Sequence, residues 1–392
     1  MTPSKQITDP VLDGSVKGWP DLGRRASEVA GLDLHVDDLG TPALTIRESA
    51  LGGNVAAMAG WCAARGVALA PHAKTTMVPR VMERQLAAGA WGLTVANVRQ
   101  ARVALACGAR RVLIANEVLP AADVAWICSQ EDADVLFCVD SPEGLALPES
   151  AVRSSTSPPL PVLIEVGYEG GRCGVRSTAA VVELAEAVAR SQHVALRDIE
   201  GFEGLTDDPD ALLEDLVAAA TATAPLVDHP DPIVTAGGSS CFDRVVDVLG
   251  PVATQLGWPL CLRSGCYVTH DHGLYAEAAE RRGPGAPRFE AAIEVRASVL
   301  SRPQPDRMIL DCGRRDVSFD AGLPVVLGEP DLVVEALNDQ HAHVRIGGPC
   351  DVAVGDVVRL GISHPCTTFD RWHVIALVDD TGRVLEALTT YF

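Results

Sequence analysis

No stretch of about 20 apolar residues in this chain is free of charge, proline or glycine, the length that a membrane-spanning helix needs. The first residues, MTPSKQITDPVLDG, lack the apolar core of a signal peptide. The expectation is therefore a cytoplasmic protein. Basic residues are also scarce: 32 Lys and Arg face 52 Asp and Glu, for a net charge of -20. A field of that sign repels phosphate backbones and anionic lipid, so neither nucleic acid nor a membrane is an expected partner. The eleven cysteines show no repeated spacing. Cys62, Cys107, Cys128, Cys138 and Cys261 lie in apolar runs, where a reduced thiol packs as a small hydrophobe, and no disulfide framework is implied.

What is present suits a large folded enzyme. At 47% hydrophobic and 21% charged the composition excludes wholesale disorder. The 392 residues fit an α/β barrel of about 250 residues plus a domain of about 100. Eight short apolar runs recur at 67–72, 91–96, 110–116, 135–140, 161–166, 196–204, 232–238 and 259–265. Between most of them lie helical patterns such as VPRVMERQLAAGA, TAAVVELAEAVARS and CFDRVVDVLGPVATQLG, apolar at i, i+3, i+4 and i+7. Strands apolar on both faces that alternate with helices imply a parallel sheet, and eight such units imply a closed (β/α)8, TIM-like barrel. LPESAVRSSTSPPLP, before the fifth strand, reads as a loop. After residue 286 the pattern changes to strands broken by Gly, Pro and Asp, which predicts an antiparallel β domain. The expected division is an N-terminal segment 1–64, a barrel 65–286 and a β domain 287–392, with the strand in TPALTIRES joining the β domain because the barrel already has its eight.

The first barrel strand ends in Pro71-His72-Ala73-Lys74-Thr75-Thr76, which puts a lysine on the rim where barrels hold ligands. A lysine there either forms an imine, if its basicity is lowered, or serves as a solvated or ion-paired residue. Two later strands end in loops suited to phosphate. One holds Thr235, Gly237, Gly238 and Ser239 ahead of a helix; the other holds Ser264, Gly265, Cys266 and Tyr267. Glycines let backbone amides approach closely, a helix N-terminus favours negative charge, and the seventh and eighth units are a frequent phosphate position in barrels. A lysine and a phosphate site on one rim suggest pyridoxal 5'-phosphate (PLP). Arg172, in the loop Gly167-Tyr168-Glu169-Gly170-Gly171-Arg172-Cys173-Gly174, either holds a cofactor oxygen or forms an ion pair. In the β domain, His364-Pro365-Cys366 either offers an imidazole and a thiolate to one metal or packs without one.

Together, PHAKT at Lys74, GRCGV at 171–175, TAGGSS at 235–240, RSGCYVTHD at 263–271, DCGRRDVSFDAGLP at 311–324 and SHPCTTFDRW at 363–372 resemble the fold-type III PLP enzymes of the alanine racemase-like class. The likeness is to the D-serine dehydratase/D-threonine aldolase branch, and within it to the amino-acid deaminase, or cryptic D-serine dehydratase, subgroup. It covers nearly the whole chain. The resemblance implies that Lys74 holds PLP through a Schiff base and that Arg172 lies near the cofactor's phenolic oxygen. It implies that the 237–239 and 265–267 loops bind phosphate. His364 and Cys366 would hold a divalent metal, zinc first, with manganese or magnesium as alternatives. A homodimer is implied as well, because active sites of this class are often completed across one. The chain departs from its relatives at Val166, where the class often has an acid, and at Leu205, where an aromatic residue is usual. Thr76 replaces a common histidine, which leaves His72 as the nearest candidate base.

A metal at the β-oxygen serves two outcomes for a D-configured β-hydroxy-α-amino acid. If Lys74 removes the Cα proton, water leaves and a 2-oxo acid and ammonia result; if a base such as His72 takes the hydroxyl proton, the Cα–Cβ bond breaks to glycine and an aldehyde. The reading taken is the D-serine/D-threonine dehydratase, with the aldolase second. More remote readings are a metal-dependent barrel hydrolase using the His270-x-His272 or His341-x-His343 spacing, and a non-catalytic PLP carrier, which would resemble a lone barrel. Asp316, Asp320 and Asp370 read as turn residues in preference to partners of the metal histidine.

Overall fold

The computed structural model describes residues 9–152 and 158–392. Eight parallel strands run in the spatial order Ala68–Leu69, Leu260–Leu262, Val234–Ala236, Val194–Gly201, Leu160–Val166, Asp134–Val139, Arg111–Glu117 and Leu93–Val95. The two ends meet through a parallel bridge between His72 and Thr94 and through bonds from the amides of Trp91 and Thr94 to the carbonyls of Leu69 and Pro71. The sheet therefore closes into the expected barrel.

Helix Thr178–Arg190 shows how the sequence builds each unit. Ser177 caps it by accepting from the Ala180 amide, and Val181, Leu184, Ala185 and Val188 form one buried stripe against the strands. Burying each of the three larger residues contributes roughly 1.5–3 kcal/mol. Two of the helices between barrel strands escaped the sequence pattern. Ala121–Cys128 has too few polar residues to show a face, and Pro142–Val152 contains Pro148. The second corrects the loop reading of LPESAVRSSTSPPLP: residues 147–152 are helical, and 153–157 lie outside the described residues.

The barrel interior is layered by the two-residue period of its strands. Ala70, Leu113, Leu136, Leu163, Ile233 and Cys261 form an apolar plug. Two residues further along their strands, Cys138, Glu165 and Arg263 join Glu200 in a polar layer nearer the strand C-termini. The site stands on that layer.

The second domain is a mainly antiparallel sheet in which strand Ala43–Arg47 is central. It pairs antiparallel with Ile293–Gln304 and parallel with Val374–Val378. Helix Glu48–Ala63 then leads into the first barrel strand. Among the described residues no helix is long and apolar enough to cross a membrane.

Asp198 is fully buried in the sixth barrel strand at φ 118°, a left-handed conformation that Asp and Asn tolerate better than other side chains. Burial pushes its carboxyl up to about 7, against the opposing hydrogen bonds from Thr223 and the Ile199 amide. The folded state thus keeps a proton that the unfolded chain releases near pH 4. Stability is unpenalised below about pH 4, falls between pH 4 and 7, and levels off above, by ~4 kcal/mol in all. Asp198→Asn is expected to unfold at higher denaturant concentration than the wild type at pH 8, with the difference vanishing at pH 4. An equal difference at both values would contradict the assignment.

Candidate active site

The chain leaves the first barrel strand in a tight 3-10 turn, Ala73–Thr75, that carries Lys74 on the rim. Among the described residues, no side chain or backbone group bonds to or pairs with Lys74 Nζ. The turn is pressed against the loop after the eighth strand. A Cβ on Gly265 would lie 2.5 Å from the His72 carbonyl oxygen and 2.7 Å from Thr75 Oγ1, so only glycine permits this approach.

His72 sits just below. Burial first, then the positive charges of Lys74 and Arg263, hold its imidazole well below the usual range, so the ring is neutral. Its Nδ1 is buried without a partner. Arg263 is itself fixed: its guanidinium pairs with Glu200 at 2.5 Å and donates to the Gly201 carbonyl. Beside them Glu165 is pushed up to about 9 by burial and then by the charges of Glu200 and Glu117, and stays protonated. These polar lumen residues were missed from sequence, although acids within the apolar strands LPVLIEV and VALRDIEG were a visible signal.

The phosphate loops are more occupied than expected. Fully buried Glu203 accepts from the amides of Gly237 at 3.1 Å and Gly238 at 2.7 Å. The Ser239 hydroxyl accepts from the amides of Gly265 and Cys266, and Ser264 donates to the Gly238 carbonyl. The Thr235 hydroxyl is spent inside the sheet on the Cys261 carbonyl. The Tyr267 side chain turns into the core, where its hydroxyl accepts from Gln85, so only its main chain lies in the loop. Among the described residues the amides of Ser239 and Ser240, just ahead of helix Phe242–Leu256, have no acceptor, and the helix end there favours an anion.

Across the rim, exposed Arg172 lies over the Phe202 ring at 5.3 Å. Phe202 also packs on the Gly237-Gly238 turn, since a Cβ on Gly238 would stand 2.7 Å from its ring. Leu205, by contrast, is 60% exposed, so the aromatic surface of this rim comes from Phe202, three residues earlier. Thr76 is buried, and its hydroxyl accepts from the Val78 amide, closing a local turn.

The β domain brings its motif to the same place. Cys366 Sγ lies 3.6 Å from Thr75 Oγ1 and 3.4 Å from Cys266 Sγ, which is in turn 3.5 Å from Thr75 Oγ1. Cys266, His364 and Cys366 offer ligand atoms all within 4.8 Å of one another. Hydrogen bonds with the Cys266 thiol and His364 hold the Cys366 thiol well below its usual range despite burial. His364 Nδ1 is 2.7 Å from Asp320, whose other oxygen accepts from Thr367. Asp320 is therefore a partner of the metal-motif histidine, which corrects its reading as a turn residue. Asp316 pairs with Lys17 and accepts from the Gly313 amide, and the Asp370 side chain pairs, among the described residues, with its neighbour Arg371.

The barrel and the β-domain motif meet within one chain, so no second copy is needed to bring Cys366 beside the lysine turn. The His-x-His pairs do not assemble: His343 bonds Asn338, His272 packs on Gly361, and no group of three potential metal ligands among the described residues contains any of them. The arrangement offers an unpaired amine, a neutral imidazole, an aromatic face under a guanidinium, a helix end for an anion and a soft metal pocket. These residues fit PLP and a thiophilic divalent ion.

Comparison with known proteins decides the family. The alanine racemase N-terminal domain model matches residues 46–247, and the D-serine dehydratase domain model matches 292–378. The chain belongs to this family of fold-type III PLP enzymes. It is 31% identical to the D-threonine aldolase of Arthrobacter sp over 351 residues, 87% of this chain and 89% of that protein. It is 28% identical to the D-threo-3-hydroxyaspartate dehydratase of Delftia sp. (strain HT23) over 370 residues, 84% and 92% of the two chains. Among solved structures, D-threonine aldolase from Filomicrobium marinum superposes with a TM-score of 0.79 at 26% identity, covering 92% of this chain and 98% of that one. The Delftia dehydratase does so with a TM-score of 0.72 at 22% identity, covering 90% and 98%.

Proposed function

We propose that this protein is a PLP- and divalent-metal-dependent lyase that dehydrates D-serine or D-threonine to a 2-oxo acid and ammonia. The observation that carries the reading is the adjacency of Lys74 and Thr75: the unpaired amine and the hydroxyl that touches both thiols belong to neighbouring residues. PLP bound here would act as the electron sink that makes the substrate's Cα proton acidic. Lys74 would carry PLP and then take that proton. Arg172 would hold the cofactor's phenolic oxygen. The Ser239 and Ser240 amides would hold the phosphate, with the main chain of Ser264 and Tyr267 alongside, whereas the Gly265 and Cys266 amides are held by Ser239 Oγ. His364 and Cys366 would hold the ion, which supplies Lewis acidity to the β-hydroxyl.

The relatives include both aldolases and dehydratases acting, by name, on D-β-hydroxy amino acids, which supports the substrate class for this chain. A retro-aldol outcome is the second reading. Neutral His72, with its unpartnered Nδ1, is the observation that favours it, because such a ring is able to accept the hydroxyl proton. Product analysis with D-threonine separates the two. 2-Oxobutanoate with ammonia is expected; glycine with acetaldehyde would establish the aldolase, and neither pair would remove both.

Asp320 would orient His364 by accepting a hydrogen bond from Nδ1–H, leaving Nε2 for the ion. Asp320→Ala is expected to weaken zinc binding about 10–100-fold in competition with a chelator. Unchanged affinity would show that the carboxylate plays no part in orienting the ring. The family likeness supports a homodimer, and a monomeric mass in solution with full activity would refute that assembly.

A further inference from the structure

We infer that Cys266 is a third protein ligand of the metal, so that the ion is held by two thiolates and one imidazole: Cys266, His364 and Cys366. The inference rests on the metal reading above and extends it to a residue on the barrel itself.

The geometry is that of a ligand triangle. A tetrahedral ion with sulfur ligands at about 2.3 Å and a nitrogen at about 2.0–2.1 Å sets its ligand atoms roughly 3.5–3.8 Å apart. The two sulfurs stand 3.4 Å apart, and the potential ligand atom of His364 lies within 4.8 Å of both. Parting the sulfurs by about 0.4 Å and moving the imidazole by at most about 1.3 Å, both within side-chain adjustment, would complete the site.

Cys266 is also held in place from all sides. Its amide donates to Ser239 Oγ at 3.0 Å, its loop is pressed onto His72 and Thr75 at Gly265, and its Sγ contacts Thr75 Oγ1. Thr75 Oγ1 lies near both sulfurs, so one hydroxyl is positioned as an outer partner for the two of them. His364 is anchored by Asp320 from behind. Residues that orient ligands from outside in this way are a regular part of metal sites.

Three consequences follow from the donor set. Three protein ligands leave one tetrahedral position for an exogenous ligand, as in catalytic zinc sites. Two thiolates select zinc or cobalt over manganese or magnesium, which prefer oxygen. The metal would also tie the β domain to the barrel, because its ligands come from loops about 100 positions apart in sequence.

The test is X-ray absorption at the zinc edge on the reduced PLP-loaded protein, which counts sulfur neighbours at about 2.3 Å. Two sulfurs are expected in the wild type and one in Cys266→Ser. With cobalt in place of zinc, the sulfur-to-metal charge-transfer absorption is expected to fall to about half in the variant, with the PLP absorption band kept. Zinc affinity of Cys266→Ser is expected to fall by at least about 100-fold, the upper end of what an outer partner contributes. One sulfur in the wild type, with binding abolished by His364→Ala, would overturn the third ligand and keep the two-ligand metal reading. Failure of the wild type to bind zinc would overturn both. The wild-type sulfur count stands whether or not the variant folds.

Discussion

Lys74→Ala is expected to lower turnover of D-serine or D-threonine by at least about 10³-fold while leaving the thermal transition of the apoprotein within a few degrees of the wild type. The first half follows from chemistry, since the lysine is assigned both the covalent hold on PLP and the Cα proton, and a positioned general base alone contributes about 10²–10⁴-fold. The second half follows from packing. Lys74 is only partly buried and makes no hydrogen bond or ion pair among the described residues. Its removal therefore breaks no network, and substitutions away from packed or paired groups usually change stability by less than about 0.5 kcal/mol. Turnover within tenfold of the wild type would remove Lys74 from the mechanism. Loss of folding would instead show that its role is structural. Product formation and a melting curve, read on the same sample, separate the two outcomes.

Metal removal is expected to be the next largest effect. Dialysis against a chelator should lower turnover about 10²–10³-fold, the equivalent of the several kcal/mol that a Lewis acid contributes at a developing oxyanion or leaving hydroxyl. Added zinc should restore the activity; magnesium should not, because thiolate and imidazole donors suit softer ions. Cys366→Ala should show the same loss without rescue by zinc, since it removes the thiolate that the surrounding hydrogen bonds hold ready for the ion. Full activity after exhaustive chelation would show that the Cys266, His364 and Cys366 cluster serves no metal in the reaction.

The barrel was legible because its strands are short apolar runs set in a regular alternation with amphipathic helices such as Thr178–Arg190. What hid the remaining elements was local chemistry. Pro148 made a helix look like a loop, and the nearly all-apolar AADVAWIC gave no periodic face to detect. At the site, the sequence pointed to Lys74, His72, Arg172, His364 and Cys366 through the motifs they stand in, and the structure brings the Lys74 turn and Cys366 together through Thr75. It did not show that Glu203 holds the amides of Gly237 and Gly238, or that the hydroxyl of Thr235 and the ring of Tyr267 face away from the loop. A linear motif names the loop that approaches a ligand but not which of its donors the fold has already used. Cys266 illustrates a different limit. It was visible inside RSGCYV as part of a phosphate loop, yet its neighbour Cys366 lies 100 residues away, and only the docking of the β domain on the barrel sets the two sulfurs side by side. Asp320 was misread for the same reason, being 44 residues from His364.

The central claim is that PLP is held at Lys74, and the most direct test is to load the protein with PLP, reduce it with borohydride, digest it and map the pyridoxyl group by mass spectrometry. The account predicts one modified peptide, carrying the group on Lys74. A pyridoxyl group on the other lysines, Lys5 or Lys17, or no specific modification at all, would contradict it.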